Sequence, residues 1–182
     1  MFKTIRWFHR YHSRMTASIT TPRTQLRPFT PEDAPAAFPW FSDPEVMHFI
    51  PGGADQDLAA VEARLARYIA HQQRHGFSKW LILDRTTQEY IGDSGLFYFP
   101  DGVRIELGFR LRHDRWGQGY APEVGAAWIA YYQQHYPGRI LHAITEPENH
   151  RSQRVLARLG FSPVGSEVLY DQQFHVFALA SP

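Results

Sequence analysis

The segment Leu111-Arg112-His113-Asp114-Arg115-Trp116-Gly117-Gln118-Gly119-Tyr120-Ala121-Pro122-Glu123 is the part of the chain whose residue types could hold an anionic ligand. It runs from an alternating strand pattern into a helix pattern. Gly117 and Gly119 let the backbone turn tightly and approach a ligand with no side chain between. Pro122 suits the first helical turn, where an N–H would have no partner. The free N–H groups of that turn and the positive end of the helix dipole form an anion site, with Arg112 and Arg115 nearby. A diphosphate fits such a cradle. The same glycine pair also serves as a plain tight connection, and the loop alone does not choose between the two. Two nucleotide motifs are poor fits. A P-loop needs Gly-Lys-Ser/Thr where Gly119-Tyr120-Ala121 stands. A dinucleotide fingerprint needs glycine or alanine where Pro122 stands, in a βαβ unit that normally opens the fold.

The elements around this loop follow from periodicity and caps. Val103–Leu111 alternates cleanly, with Val103, Ile105, Leu107, Phe109 and Leu111 on one face and Arg104, Glu106, Gly108 and Arg110 on the other. A helix follows from about Ala121 to His135, then a short strand at Ile140–Thr145 and a helix at Asn149–Leu159 stopped by Gly160. Upstream, Arg23–Phe29 reads as a strand, and Thr30-Pro31-Glu32-Asp33 and Ser42-Asp43-Pro44-Glu45 each start a short helix. Asp55 to His75 is a long amphipathic helix with Leu58, Val61, Leu65, Tyr68 and Ile69 on its apolar face and Arg64 away from it. Phe77–Asp84 and Tyr90–Phe99 form a hairpin, as do Ser162–Tyr170 and Phe174–Ala180. This order predicts an α/β (α+β) fold: a mixed, mostly antiparallel central sheet of about six to seven strands flanked by helices.

The bulk numbers bound the rest. The 182 residues are 43% apolar and 15% aromatic, which suits one domain with one sizeable core. A net charge of +1 offers no field for nucleic acid, so no specific nucleic-acid partner is expected. Lys3, Arg6, Arg10, Arg14 and Arg23 all precede the first acid, Glu32. The absence of cysteine excludes disulfides, thiolate metal sites and a cysteine nucleophile, and fits a cytoplasmic location. His71 and His75 lack the intervening glutamate of a zinc helix and read as surface histidines, so no metal is expected. No apolar run approaches the roughly 20 residues of a membrane span. Residues 1–21 read as a flexible basic extension or a leader ahead of a later start such as Met15, with a surface amphipathic helix as the alternative. Residues 22–182 read as a single domain.

The ordered series of strand, Gly-X-Gly loop, helix, strand, Asn-X-X-Ser helix and Gly160-Phe161 resembles the GNAT superfamily of acyl-CoA-dependent N-acyltransferases. The resemblance is closest to the branch that includes ribosomal-protein N-terminal acetyltransferases. Arg23–Phe29 with Glu32-Asp33-Ala34 looks like that branch's opening, and Asp43-Pro44-Glu45-Val46-Met47 like its second helix. Tyr90-Ile91-Gly92 with Gly95 is similar to its third strand, and Trp116–Ala121 with Glu123 to its pyrophosphate loop. The likeness spans about residues 22–180.

The resemblance implies acetyl-CoA as acyl donor and an amine as acceptor. CoA would be held by the backbone of Trp116, Gly117, Gln118, Gly119, Tyr120 and Ala121 with Arg115 beside it. Backbone groups of Leu107, Phe109 and Leu111 would align the pantetheine and polarise the thioester carbonyl. Asn149 would touch the pantetheine arm, as well as suiting a helix N-cap. Glu106 is the candidate general base, against a cross-strand ion pair with an arginine. Many relatives use a tyrosine acid early in the second helix; Leu156-Ala157 stands there instead, and Ser152 matches the serine given that task in the nearer branch, against a capping or solvent-facing role. Trp40, Phe41, Phe97, Tyr98 and Phe99 read mostly as core, and Asp93 and Ser94 as candidate polar cleft contacts. The leading function is acetyl transfer to a primary amine, with a non-catalytic acyl-CoA-binding sensor or interaction module as the alternative. The acceptor and oligomeric state, a homodimer included, are open.

Overall fold

A computed structural model describes residues 18–180; the expected N-terminal extension lies outside the described residues as far as residue 17. The sheet begins earlier than the expected boundary at 22. Strand β1 (Ile19–Thr20) pairs antiparallel with β2 (Thr24–Pro28), and Thr21 closes the turn between them by accepting from the Thr24 N–H at 2.9 Å. Helices α1 (Ala34–Phe41), α2 (Pro44–Met47) and α3 (Leu58–His75) follow, then β3 (Lys79–Asp84), β4 (Tyr90–Tyr98) and β5 (Ile105–Leu111). The chain closes with α4 (Tyr120–His135), β6 (Leu141–Thr145), α5 (His150–Arg158), β7 (Ser162–Leu169) and β8 (Gln172–Leu179). The eight strands lie in the order β1-β2-β3-β4-β5-β6-β8-β7, and only β5 and β6 are parallel. The strand beyond the expected six to seven is β1, whose two residues are too few to leave an alternation.

Both faces of the sheet are covered. Along β3, Trp80 and Ile82 join Trp128, Val124 and Leu107 in one apolar cluster, while Leu81 and Leu83 join Trp40, Phe41, Val61 and Leu65 in the other. Burial on both faces is why Trp80–Leu83 is continuously apolar. Asp57 caps α3 by accepting from the Ala60 N–H at 2.8 Å, and Gly76 ends it at φ +82°, a left-handed conformation that glycine adopts without steric penalty.

The polar residues of α3 depart from the sequence expectation. Arg64 is buried, paired with Asp55 at 2.7 Å and lying over the Phe41 ring, whereas Leu58 is 39% exposed. His71 is not a surface histidine. Its ring stacks on Phe97 at 3.9 Å, its Nδ1 lies 2.7 Å from the Phe77 carbonyl, and its Nε2 accepts from the Tyr98 N–H at 3.4 Å. One nitrogen must donate and the other accept, so the ring is held neutral. Burial lowers its pKa from 6.5 to about 4, against the opposing hydrogen bond to Phe77. A depressed folded-state value means stability is fully present above 6.5 and is lost as pH falls towards 4. Unfolding free energy is therefore expected to drop by on the order of 2 kcal/mol more between pH 7 and pH 4.5 than in His71→Gln. Equal acid slopes in chemical denaturation would show that the ring protonates freely in the folded chain.

Candidate functional site

Strand β5 begins at Ile105 rather than Val103, because Asp101 accepts from the Val103 and Arg104 N–H groups and holds both in a turn. Its ladder with β6 contains only Ile105↔Leu141 and Glu106↔His142. Past that point the strands separate, and the β6-facing edge of Leu107–Leu111 is left unpaired. A cleft of about 1030 Å³ opens there. Its walls are Phe109, Arg110 and Leu111 of β5, the 113–122 loop, Asn149, Ser152 and Val155 of α5, and Val46, Phe49 and Ile50 at α2. A shallower groove of about 450 Å³ beside Pro39 and Asp43 contains none of the candidate catalytic or donor-binding residues.

The glycine loop forms the end of this cleft. Gly117 and Gly119 lie at φ +74° and +81°, where other residues are strained. Gly119 is the N-cap of α4 and supplies no side-chain cap, so the first-turn N–H groups are open to an anion. The Trp116 indole donates to the Leu111 carbonyl at 2.9 Å and folds the loop back on β5. Arg23 fixes the other side, donating to the Gln118 carbonyl at 2.8 Å and to Glu123 at 2.6 Å. Burial would raise the Glu123 carboxyl, but hydrogen bonds from Thr21 and Arg23 hold it below its ordinary value. Glu123 is thus a carboxylate whose charge is balanced by Arg23 beside the N-terminus of α4.

Charge is distributed differently from the sequence expectation. Arg112 is paired with Asp114 at 2.9 Å, and Arg115 is paired with Glu89 and lies 3.7 Å from Asp114, so neither presents a free cation to the loop. The unpaired cations of the cleft come from α5. Arg151, Arg154 and Arg158 all line it and form no ion pair among the described residues. Arg151 also lies over the Trp116 ring at 4.8 Å, joining α5 to the loop. Their i, i+3, i+7 spacing puts them on one helical face, a signal that spacing alone carries.

The remaining candidates divide. Asn149 is an N-cap, accepting from the Ser152 N–H at 3.1 Å, and both side chains stand at the cleft. Leu107 is buried in the core. Glu106 lies on the other face of β5, two residues along from Gly108 and four from Arg110, with its carboxylate 3.5 Å from the Lys79 ammonium. Its ion pair is made with a lysine two strands away, not with an arginine. Asp93 and Ser94 are not cleft contacts. Both are fully buried: Asp93 accepts from Trp40 at 3.2 Å and pairs with Arg110 at 2.6 Å, and Ser94 donates to the Gly108 carbonyl at 3.0 Å.

The chain is similar to known proteins. YoaA of Bacillus subtilis (strain 168), named an uncharacterized N-acetyltransferase, is 28% identical over 152 residues, covering 81% of this chain and 84% of its own. An acetyltransferase from Agrobacterium tumefaciens str. C58 superposes with a TM-score of 0.80 at 24% identity, over 94% of this chain and 99% of that one. The ribosomal-protein-S5-alanine acetyltransferase from Vibrio fischeri gives 0.74 at 16% identity, over 90% and 96%. These two structures share the fold. The acetyltransferase (GNAT) domain family matches residues 23–162, which hold the glycine loop, the β5 edge and the capped α5, and the chain belongs to that family.

Proposed function

We propose that the protein transfers an acetyl group from acetyl-CoA to a primary amine, at a protein N-terminus or on a small molecule, by direct attack of the amine on the thioester. The observation that carries this reading is the uncapped N-terminus of α4 facing three unpaired arginines across a cleft that ends on the unpaired edge of β5. An anionic donor suits the arginines and the helix end, and an extended pantetheine arm suits a strand edge seeking hydrogen bonds. An N–H of Phe109–Leu111 turned to the cleft would stabilise negative charge on the thioester oxygen. The Ser152 hydroxyl would hydrogen-bond the leaving thiolate. Glu106 would accept the proton released by the amine, which for an α-amino group of reference pKa near ~8 requires only modest help. Holding both reactants together supplies much of the rate.

Acetyl-CoA at a hundredfold excess over its Kd is expected to stabilise the folded chain by about 2.7 kcal/mol. Gly119→Val, which forces a β-branched residue into a left-handed conformation, is expected to weaken that binding roughly tenfold. Thermal melts and titration calorimetry check both, while free thiol is followed with a panel of amines and short peptides. No stabilisation by acetyl-CoA overturns the reading. Stabilisation without thiol release from any acceptor favours the binding-module alternative.

A further inference from the structure

We propose that Lys79 is a self-acetylation site: its ε-amine takes the acetyl group from acetyl-CoA bound in the cleft, with Glu106 as the proton acceptor. The inference rests on the donor reading above and goes beyond it.

Lys79 and Lys3 are the only lysines in the chain, and all other positions among its 19 Lys and Arg residues are arginine. An amine at position 79 is therefore exceptional in this sequence, and an amine is what an acetyl group can be transferred to. Gly108 leaves the room that Lys79 occupies, while Gly95 lacks a side chain because a Cβ there would meet the backbone of Ser78 and Lys79. Lys79, Gly95 and Gly108 stand opposite one another on β3, β4 and β5. The Lys79 side chain crosses the face of the sheet through the trough over Gly108. Its Nζ donates to the Gly95 carbonyl at 3.1 Å and lies 3.5 Å from Glu106 Oε1. A Cβ at Gly108 would fall 2.5 Å from Nζ, so any larger residue there would displace the ammonium.

This position is next to the donor path. Gly108 lies on the stretch of β5 that no longer pairs with β6, and Arg110, on the same face and about 7 Å along the strand, already lines the cleft. The candidate base is in contact with Lys79 before any external amine arrives. In the transfer, Glu106 takes a proton from the Lys79 ammonium, and the freed lone pair forms the C–N bond to the acetyl carbonyl. Once the C–N bond has formed, the second proton of the nitrogen passes to solvent. The C–S bond then breaks with its electron pair on sulfur, and the CoA thiolate is protonated from Glu106 through solvent, so that one proton is released overall. The products are Nε-acetyl-Lys79 and CoA.

The test uses the full-length chain with acetyl-CoA alone, read by intact mass and peptide mapping beside a thermal melt. One acetyl group is expected to accumulate with time on Lys79. Lys79→Arg is expected to abolish that adduct and keep the acetyl-CoA-induced thermal shift, and Glu106→Gln is expected to slow it at least about tenfold. A thermal shift with Lys79 unmodified overturns the inference and spares the donor reading. Acetylation only at Lys3 or the N-terminal amine also overturns it, as does equal modification of Lys79 in Glu106→Gln, which would mark uncatalysed chemistry. No thermal shift and no adduct overturns the donor reading and the inference together.

Discussion

Glu106→Gln is expected to lower kcat for acetyl transfer to an added amine by about 10²–10⁴-fold while leaving acetyl-CoA affinity unchanged. The substitution is nearly isosteric and removes the ability to take a proton. The glutamine amide still offers an oxygen to Lys79, so the trough over Gly95 and Gly108 keeps its occupant. The donor is expected to bind along the Phe109–Leu111 stretch of β5, the glycine loop and α5, which line the cleft, whereas Glu106 is not one of the residues lining it. Stopped thiol release gives kcat, and the thermal shift with acetyl-CoA gives binding. A fall in both together would mean that Glu106 supports the fold of the β5 edge, and an unchanged kcat would remove it from the base role. Transfer to amines already neutral at the assay pH is expected to suffer least, because they have no proton to lose before attack.

The elements that position this chemistry are legible in the sequence because local signals agree with one another. β5 carries an uninterrupted alternation, α3 has a proper N-cap and a closing glycine, and Asn149 caps α5. The departures share a physical cause: each depends on a partner distant in sequence. Arg64 and His71 are polar and so read outwards, but Asp55, Phe77 and Phe97 enclose them. Asp93 reads as a cleft residue, and its burial is made tolerable by Trp40 and Arg110, which periodicity does not connect to it. β1 is held by pairing with β2 rather than by any pattern of its own.

The same physics makes the site only partly legible. A glycine pair before a helix is a local feature, and its left-handed backbone follows from the residues themselves. Whether an arginine nearby is free is not local. Arg112 meets Asp114 two residues on, but Arg115 is neutralised by Glu89, which only the β4 hairpin brings alongside. The arginines of α5 fall on one helical face by spacing alone. That this face looks into the cleft depends on how α5 docks beside β6 and against α4. Lys79 meets Glu106 only because Gly95 and Gly108 fall at its level on two neighbouring strands, a register that no single segment encodes.

Arg110→Met is expected to destabilise the fold by about 3–5 kcal/mol, a loss that follows from the partner it abandons. The Arg110 and Asp93 side chains are 9% and 1% exposed. Arg110 donates twice to Asp93, at 3.0 and 2.6 Å, and once to the Tyr68 hydroxyl at 2.7 Å, and lies over the Phe41 ring at 5.0 Å. Removing the guanidinium leaves a carboxylate between α1 and the sheet with only the Trp40 indole as donor. Water cannot replace the missing charge without opening the aromatic cluster around Trp40 and Phe41. At roughly 2–4 °C per kcal/mol for a domain of this size, the melting temperature is expected to fall by about 10 °C. Removing both charges in Arg110→Met/Asp93→Leu is expected to recover much of that loss, since an apolar pair of similar volume needs no desolvation. Chemical denaturation of the two single variants and the double variant completes the cycle. A loss below about 1 kcal/mol in Arg110→Met would mean that solvent from the cleft reaches Asp93, because a stranded carboxylate is tolerated only where water solvates it. In that outcome Asp93 would be reached from the cleft that Arg110 lines.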